Sequence, residues 1–128
     1  MSAPTVRHRL AATLLAGALA LGCSDSERLP HSAVPDGDAR RGIAAMRRHG
    51  CGGCHVIPGV AEARGRVGPS LAGFASRPYI AGALPNRPLE LVAWIRDPQA
   101  VHPGTIMPRL GVSATDARDI AAHLYRLR

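Results

Sequence analysis

The chain has few aromatic residues: one phenylalanine, two tyrosines and one tryptophan, or 3% of 128 residues. A core of about a hundred residues usually contains more ring area than that, although 46% of the chain is apolar. A large apolar group bound inside the domain would supply the missing bulk.

Lysine is absent as well, since all sixteen basic residues are arginine and the formal net charge is +7. A basic chain can bind nucleic acid, an anionic membrane or an acidic protein. The arginines are scattered, and no aromatic residues alternate with them as they do in proteins that bind single strands. The pattern therefore argues against a nucleic-acid partner.

The chain also lacks an apolar run long enough to span a bilayer, which takes about 20 residues. Its longest run, residues 10–21, follows a short basic segment that contains Arg7 and Arg9. This order is typical of an export signal that is later removed. We predict a lipoprotein-type signal peptide over residues 1–22.

The end of that run, Leu-Ala-Leu-Gly-Cys at residues 19–23, resembles a bacterial lipoprotein box, in which the cysteine receives a lipid. Ala20 departs from the leucine that this pattern usually has. Ordinary cleavage after Ala20 is the alternative, and it would leave Cys23 as an unpaired thiol in an oxidising compartment. We expect lipidation of Cys23, a flexible membrane tether over residues 23–37 and a location on the periplasmic side of a bacterial membrane. The alternative is a soluble periplasmic protein.

The most specific motif is Cys-Gly-Gly-Cys-His at residues 51–55. This C-x-x-C-H spacing is typical of a c-type haem attachment site. Cys51 and Cys54 would each add to one vinyl group of the same porphyrin, and His55 would supply a nitrogen ligand to the iron.

Three other interpretations of the two cysteines are weaker. A structural zinc site needs four ligands, and no second C-x-x-C or H-x-x-x-H pair is present. A thioredoxin-like redox pair requires a βαβ context, and no strand-like alternation precedes Cys51. A plain disulfide at this spacing would be sterically awkward and would leave His55 unexplained.

Around the motif the pattern is helical. Asp38 is a candidate cap for a helix that Gly50 ends just before the cysteines, and Gly42 within this helix suggests close approach by another helix. Glycines and prolines between residues 56 and 83 predict loops without strands. A helix begins at Pro88 and ends before Pro98, a loop covers residues 99–112, and a last helix begins at Ala114.

Taken together, the chain from Asp38 to Arg128 resembles a class I cytochrome c. The resemblance is based on five features in order: Gly42 in the first helix, the C-x-x-C-H, Gly-Pro-Ser-Leu at 68–71, Met107 in a late loop and the last helix. Residues 67–74, 94–99 and 103–108 are most similar to the cytochrome c domain fused to subunit II of some haem-copper oxidases, here as a free-standing version without the copper domain.

The resemblance implies an all-α fold of three to five helices around one covalently bound haem c. It implies that His55 is the proximal iron ligand and that the Pro69 carbonyl accepts a hydrogen bond from its other nitrogen. Met107 is implied as the distal ligand, with His102 in the same loop as the rival. Trp94 would either face a haem propionate or pack as a core indole.

The function that follows is that of an electron carrier and not an enzyme. It would pass single electrons along a respiratory chain, with a haem-copper oxidase or its electron donor as the partner. Two alternatives stay open: a haem enzyme or gas or redox sensor with a displaceable distal ligand, and a fixed electron-transfer subunit of a larger oxidoreductase. Basic residues at the haem edge could attract an acidic partner; the candidates are Arg64, Arg66, Arg77 and Arg109.

Overall fold

The computed structural model of the protein describes residues 34–128. The predicted signal peptide, Cys23 and most of the predicted tether lie outside the described residues. The described part contains four α-helices, two short strands and two single 3-10 turns. The helices are α1 (Ala39–Arg48), α2 (Pro88–Arg96), α3 (Pro98–Val101) and α4 (Ala114–Leu124), the strands are β1 (Tyr79–Ile80) and β2 (Leu84–Pro85), and the 3-10 turns are Cys51–Gly53 and Phe74–Ser76.

Helix α1 begins and ends as the sequence predicts. The side chain of Asp38 accepts hydrogen bonds from the backbone N–H groups of Arg40 and Arg41, both at 2.8 Å, and so caps the first turn. His49 follows the helix, and Gly50 has φ +70°. Because glycine adopts this left-handed conformation without steric cost, the chain can turn sharply into the cysteine motif.

Helices α1 and α4 pack against each other at very short range. A Cβ atom at Gly42 would lie 2.1 Å from the backbone oxygen of Asp119 on α4. This contact confirms the prediction that a second helix approaches Gly42. The turn that precedes α1 also touches α4, since a Cβ atom at Gly37 would lie 2.7 Å from the backbone oxygen of Arg118. Of the predicted tether, Val34 and Gly37 therefore contact the domain.

An ion pair joins α1 and α4 where the two helices cross. The guanidinium of Arg41 donates to both carboxylate oxygens of Asp119, at 2.8 and 2.9 Å, and Asp119 also accepts from the backbone N–H of Asp38 at 2.7 Å. Asp119 is only 2% exposed. The hydrogen bonds offset the cost of burying its charge.

The prediction that no strand lies between residues 56 and 83 is wrong. Strands β1 and β2 pair antiparallel, with Ile80 opposite Leu84. Ala81 and Gly82 between them have φ +50° and +71°, which turns the chain back on itself. Each strand has only two residues, so no alternating pattern of side chains could have revealed it.

The second half of the chain is more helical than predicted. Helix α2 begins at Pro88 and ends before Pro98, as expected. Pro98 is then the first residue of a short helix, α3, which was not predicted. Asp97 between them caps α3 by accepting from the backbone N–H of Ala100 at 3.1 Å. Ser113 caps α4 by accepting from the N–H of Asp116 at 3.0 Å. Within residues 34–128, no helix is long and apolar enough to cross a membrane.

The buried core joins the inner faces of α1, α2 and α4 with the loop segments between them. Phe74 and Tyr125 meet edge to face, with ring centroids 6.0 Å apart. Asn86 connects this pair to the hairpin: it accepts from the Tyr125 hydroxyl and donates to the carbonyls of Phe74 and Arg77. This packing leaves one apolar cavity between the helices and the loops.

Candidate functional site

The cavity between the helices encloses about 250 Å³ and brings together side chains from every part of the domain. Its wall is almost wholly apolar and includes no carboxylate. The residues named from the sequence as candidates for binding a cofactor in the domain all line it: Cys51, Cys54, His55, Pro69, Trp94 and Met107. Residues separated by more than fifty positions along the chain thus share one surface.

Cys51 and Cys54 enter the wall from the 3-10 turn that follows Gly50. Both thiols are free and half-buried. Burial raises the pKa of the Cys51 thiol, which stays protonated at neutral pH. Gly52 has no room for a side chain, since a Cβ atom there would lie 2.8 Å from the Cα of Ala63. The glycine lets the loop over 60–65 close behind the two cysteines.

The ring of His55 is held in a defined orientation. Its Nδ1 lies 2.7 Å from the carbonyl oxygen of Pro69. Because a carbonyl can only accept, Nδ1 carries the hydrogen, and in the neutral ring Nε2 keeps its lone pair. This is the tautomer that binds a metal through Nε2.

Gly68 fixes the other side of the same ring. A Cβ atom at this position would lie 2.3 Å from Cε1 of His55 and 2.8 Å from Nδ1. The backbone N–H of Gly68 donates to the carbonyl of Cys54 at 2.9 Å, which ties this segment to the cysteine motif. The imidazole therefore lies between a bare backbone and the Pro69 carbonyl.

Met107 reaches the cavity from the loop after α3. It is partly buried and packs against the core. His102, its rival in the same loop, is exposed and is absent from the cavity wall. His123 is also away from the cavity: it is buried on α4, with Nε2 3.1 Å from the carbonyl oxygen of Pro58. Of these three side chains, the structure brings only Met107 to the same wall as His55.

Trp94 is 8% exposed and belongs to both the core and the cavity wall. The indole thus packs in the core and also forms part of the surface that faces the cavity.

The four arginines named as candidates for the cavity edge differ in position. Arg77 lines the cavity, and its guanidinium donates to the carbonyls of Ser70 and Ala72 and lies 5.7 Å from the Phe74 ring centroid. Arg109 forms an ion pair with Asp97. Arg64 and Arg66 are exposed and are not part of the wall. Only Arg77 brings positive charge directly to the cavity.

Two residues that the sequence did not single out act on the site. Gly68 was noted only as part of a motif, and its contact with His55 depends on tertiary packing. Gln99 donates from its side-chain amide to the carbonyls of Thr105 and Met107, at 2.5 and 3.1 Å. No spacing rule links a glutamine at the start of a short helix to a methionine eight positions later.

Among residues 34–128, no group of three or more His, Cys, Asp or Glu side chains could hold a metal.

Known proteins share sequence with this chain. The chain is 36% identical over 91 residues to cytochrome c oxidase subunit 2 of Alkalihalophilus pseudofirmus, which covers 70% of this chain and 26% of that protein. It is 38% identical over 76 residues to the protein of the same name from Bacillus sp. strain PS3, covering 58% of this chain and 21% of the relative. The corresponding protein of Bacillus subtilis is 32% identical over 85 residues, 62% of this chain and 24% of the relative.

The chain is therefore homologous to a region of cytochrome c oxidase subunit 2 and spans about a quarter of the length of these curated relatives. These matches bear out the predicted similarity to subunit II of haem-copper oxidases. No protein-family model matches the chain.

Proposed function

We propose that residues 38–128 form a class I cytochrome c domain that binds one haem c in the apolar cavity and carries single electrons. The observation that supports this most is the composition of one wall: two cysteines, an oriented histidine and a methionine face a space lined by apolar side chains. A flat, apolar ring that needs two thioether bonds and two axial ligands matches this set of donors.

Each residue would have a defined role. Cys51 and Cys54 would hold the haem covalently. His55 would bind iron through Nε2, because its Nδ1–H is held by Pro69. Met107 would be the second axial ligand. Trp94, which lines the cavity, would donate from its indole N–H to a propionate.

When bound, the haem supplies a metal that changes between two oxidation states. The side chains would tune this metal. The apolar wall would exclude water, and ligation by His55 and Met107 would favour the reduced iron and so raise the reduction potential. Because both axial positions would be occupied, no position would be left for a substrate. This favours electron transfer through the haem edge over an enzymatic reaction.

The open edge of the cavity suggests how a partner would dock. Three side chains of its wall are large, apolar and well exposed: Val67 is 66%, Tyr79 58% and Ile106 78% exposed. Arg77 adds positive charge to this edge, and no carboxylate lines it. We propose a redox protein with an apolar contact patch and acidic surroundings as the partner.

Homology to cytochrome c oxidase subunit 2 supports a role next to a terminal oxidase. The same homology also favours the second candidate, a fixed subunit of an oxidoreductase. Purification in mild detergent separates the two. A mobile carrier would be recovered alone and would react with the oxidase in a salt-dependent manner, whereas a fixed subunit would be recovered in constant stoichiometry with the oxidase.

We also propose that the domain is attached to the periplasmic side of a bacterial membrane through a lipid on Cys23. The support is the sequence of residues 7–23, which reads as a basic segment, an apolar run and a lipoprotein box. Metabolic labelling with a fatty acid tests this. Wild type should carry the label and sediment with membranes, and Cys23→Ser should lose both properties.

The decisive experiment for the haem proposal is an optical spectrum of protein matured together with a cytochrome c assembly system. Covalent haem should survive denaturation, and the oxidised protein should show the weak far-red band that sulfur ligation gives to haem iron. Met107→Leu should lose that band, whereas His102→Ala should keep it. If no haem is attached, or if Cys51→Ser and Cys54→Ser together retain covalent haem, the proposal is wrong.

A further inference from the structure

The loop that presents Met107 is connected to α3 by the side chain of Gln99. The Nε2 atom of Gln99 donates to the carbonyl of Thr105 at 2.5 Å and to the carbonyl of Met107 at 3.1 Å. A primary amide has two N–H donors, so both bonds can form together. The partly buried side chain of Gln99 thus ties Thr105 and Met107, in the loop after α3, to α3 itself.

Met107 has both of its backbone groups held. Its carbonyl is bound by Gln99, and its N–H lies 3.4 Å from the side-chain oxygen of Thr105. The next residue, Pro108, has a fixed φ and no N–H to form a competing bond. Since the backbone on both sides of the Cα atom is constrained, the direction of the Met107 side chain is constrained too.

A second bridge crosses the same loop but does not touch Met107. Asp97 pairs with Arg109, whose side chain is 61% exposed. An exposed ion pair of this kind contributes little to stability, because water screens the two charges. The two bridges therefore hold different parts of the loop. The outer bridge, between Asp97 and Arg109, joins the residue before α3 to the residue after Pro108. The inner bridge, from Gln99, reaches the carbonyl of Met107.

We infer that Gln99 is a positioning residue that keeps the Met107 thioether in the cavity wall and thereby sets how easily an external ligand replaces it on the iron. This inference rests on the proposed function, because it requires Met107 to be an iron ligand. Gln99 itself touches neither the haem nor the iron in this role. It acts through the backbone of Met107.

The test uses oxidised, haem-loaded protein titrated with imidazole, and loss of the far-red sulfur band reports the replacement of Met107. Gln99→Glu has nearly the same shape but no N–H donor, and at neutral pH its carboxylate would face two carbonyl oxygens. We expect imidazole to bind about tenfold more tightly, a change of about 1.4 kcal/mol, which the loss of two hydrogen bonds can supply. Gln99→Leu also lacks the donors but carries no charge, and it should shift the affinity in the same direction.

Arg109→Gln is the matched control, since it removes the outer bridge and leaves the Gln99 amide in place. It should bind imidazole within about twofold of wild type. The inference is overturned if Gln99→Glu and Gln99→Leu both match wild type, or if Arg109→Gln shifts the affinity as far as they do. Should Gln99→Glu yield no loaded protein, Gln99→Leu decides alone. A wild type that has no sulfur band would overturn the proposed function itself, whereas a wild type with the band and unchanged Gln99 variants would overturn only this inference.

Discussion

Gly42 of α1 lies directly against the backbone carbonyl of Asp119 on α4, so that even a methyl group would come within 2.1 Å of that oxygen. The obstacle is backbone, which cannot rotate away as a side chain can. Gly42→Ala should therefore separate the two helices. We expect a loss of about 1–3 kcal/mol in the free energy of unfolding, even though alanine favours the helix by about 1 kcal/mol.

Urea unfolding of the haem-loaded protein measures this loss. Ala44 is exposed on the same helix, and Ala44→Gly is the control, because it should cost only the helix propensity of about 1 kcal/mol. If Gly42→Ala were as stable as wild type or more so, the close helix crossing would be wrong.

The ion pair of Arg41 and Asp119 predicts a loss of stability in acid. The hydrogen bonds from Arg41 lower the pKa of the Asp119 carboxyl below its usual range. Because the folded-state pKa is below the unfolded value of about 3.9, the pair stabilises the fold fully above that pH, and its contribution is lost as the pH falls through the folded-state pKa.

Asp119→Asn should cost about 1–3 kcal/mol at neutral pH, since bonds to a charged group are lost. The difference from wild type should begin to shrink below about pH 3.9, where the unfolded carboxyl takes up a proton, and should be lost as the pH falls through the lowered folded-state pKa. Chemical unfolding at a series of pH values measures both effects. Asp36→Asn, which removes a charge outside these ion pairs, is the control; a constant gap between wild type and Asp119→Asn at every pH would contradict this account.

Because the phenol of Tyr125 is buried, we expect the stability of the fold to depend on pH in the alkaline range as well. Burial raises the pKa of Tyr125 to about 12, with a smaller contribution from the charge of Glu90, and its hydroxyl donates to Asn86 at 3.0 Å. The unfolded phenol ionises near pH 10. Stability from this group is therefore complete below about pH 10 and is lost as the pH rises toward the folded value.

Tyr125→Phe tests that effect. The variant should be less stable than wild type at neutral pH by about 1 kcal/mol, the value of one hydrogen bond. Between pH 10 and 12 wild type should lose stability faster than the variant, and the two curves should converge. Parallel curves across this range would show that the Tyr125 phenol is not protected by burial.

Local signals in the sequence predicted α1, α2 and α4, but not the short helix α3. Asp38 and Pro88 mark the start of a helix by chemistry that acts within one turn, and each does so in the structure. The glycine in α1 could be interpreted as well, because a helix rarely accepts glycine without a close neighbour. What the sequence could not give was the identity of that neighbour, Asp119.

The types and the order of the candidate site residues could be predicted from the sequence. The contacts that hold these residues in place could not. The six candidate residues of the domain line one cavity, but the ring contact of Gly68 and the amide bonds of Gln99 arise from segments that only folding brings together. The hairpin at residues 79–85 was missed for a different reason. Its strands are two residues long, and its turn uses Ala81 at positive φ, where glycine or asparagine would have given a signal.

The contact between Gly68 and His55 leads to the most direct test of how the proposed iron ligand is oriented. A Cβ atom at Gly68 would lie 2.3 to 2.9 Å from three atoms of the imidazole ring. The ring is the end of a side chain and can swing away, so we expect Gly68→Ala to fold. In swinging away, however, the ring would lose its bond to the Pro69 carbonyl, and Nε2 would no longer point in a fixed direction.

Gly68→Ala should therefore lower the yield of loaded protein and alter the spectrum of the haem iron, while the unfolding free energy changes by less than about 1 kcal/mol. Gly53→Ala is the matched control, because it makes the same substitution inside the motif at an exposed position with nothing within 4 Å. It should leave yield and spectrum unchanged. If Gly68→Ala gave a wild-type spectrum at full yield, His55 would not depend on this glycine for its orientation, and the fixed imidazole would have to be explained by the Pro69 bond alone.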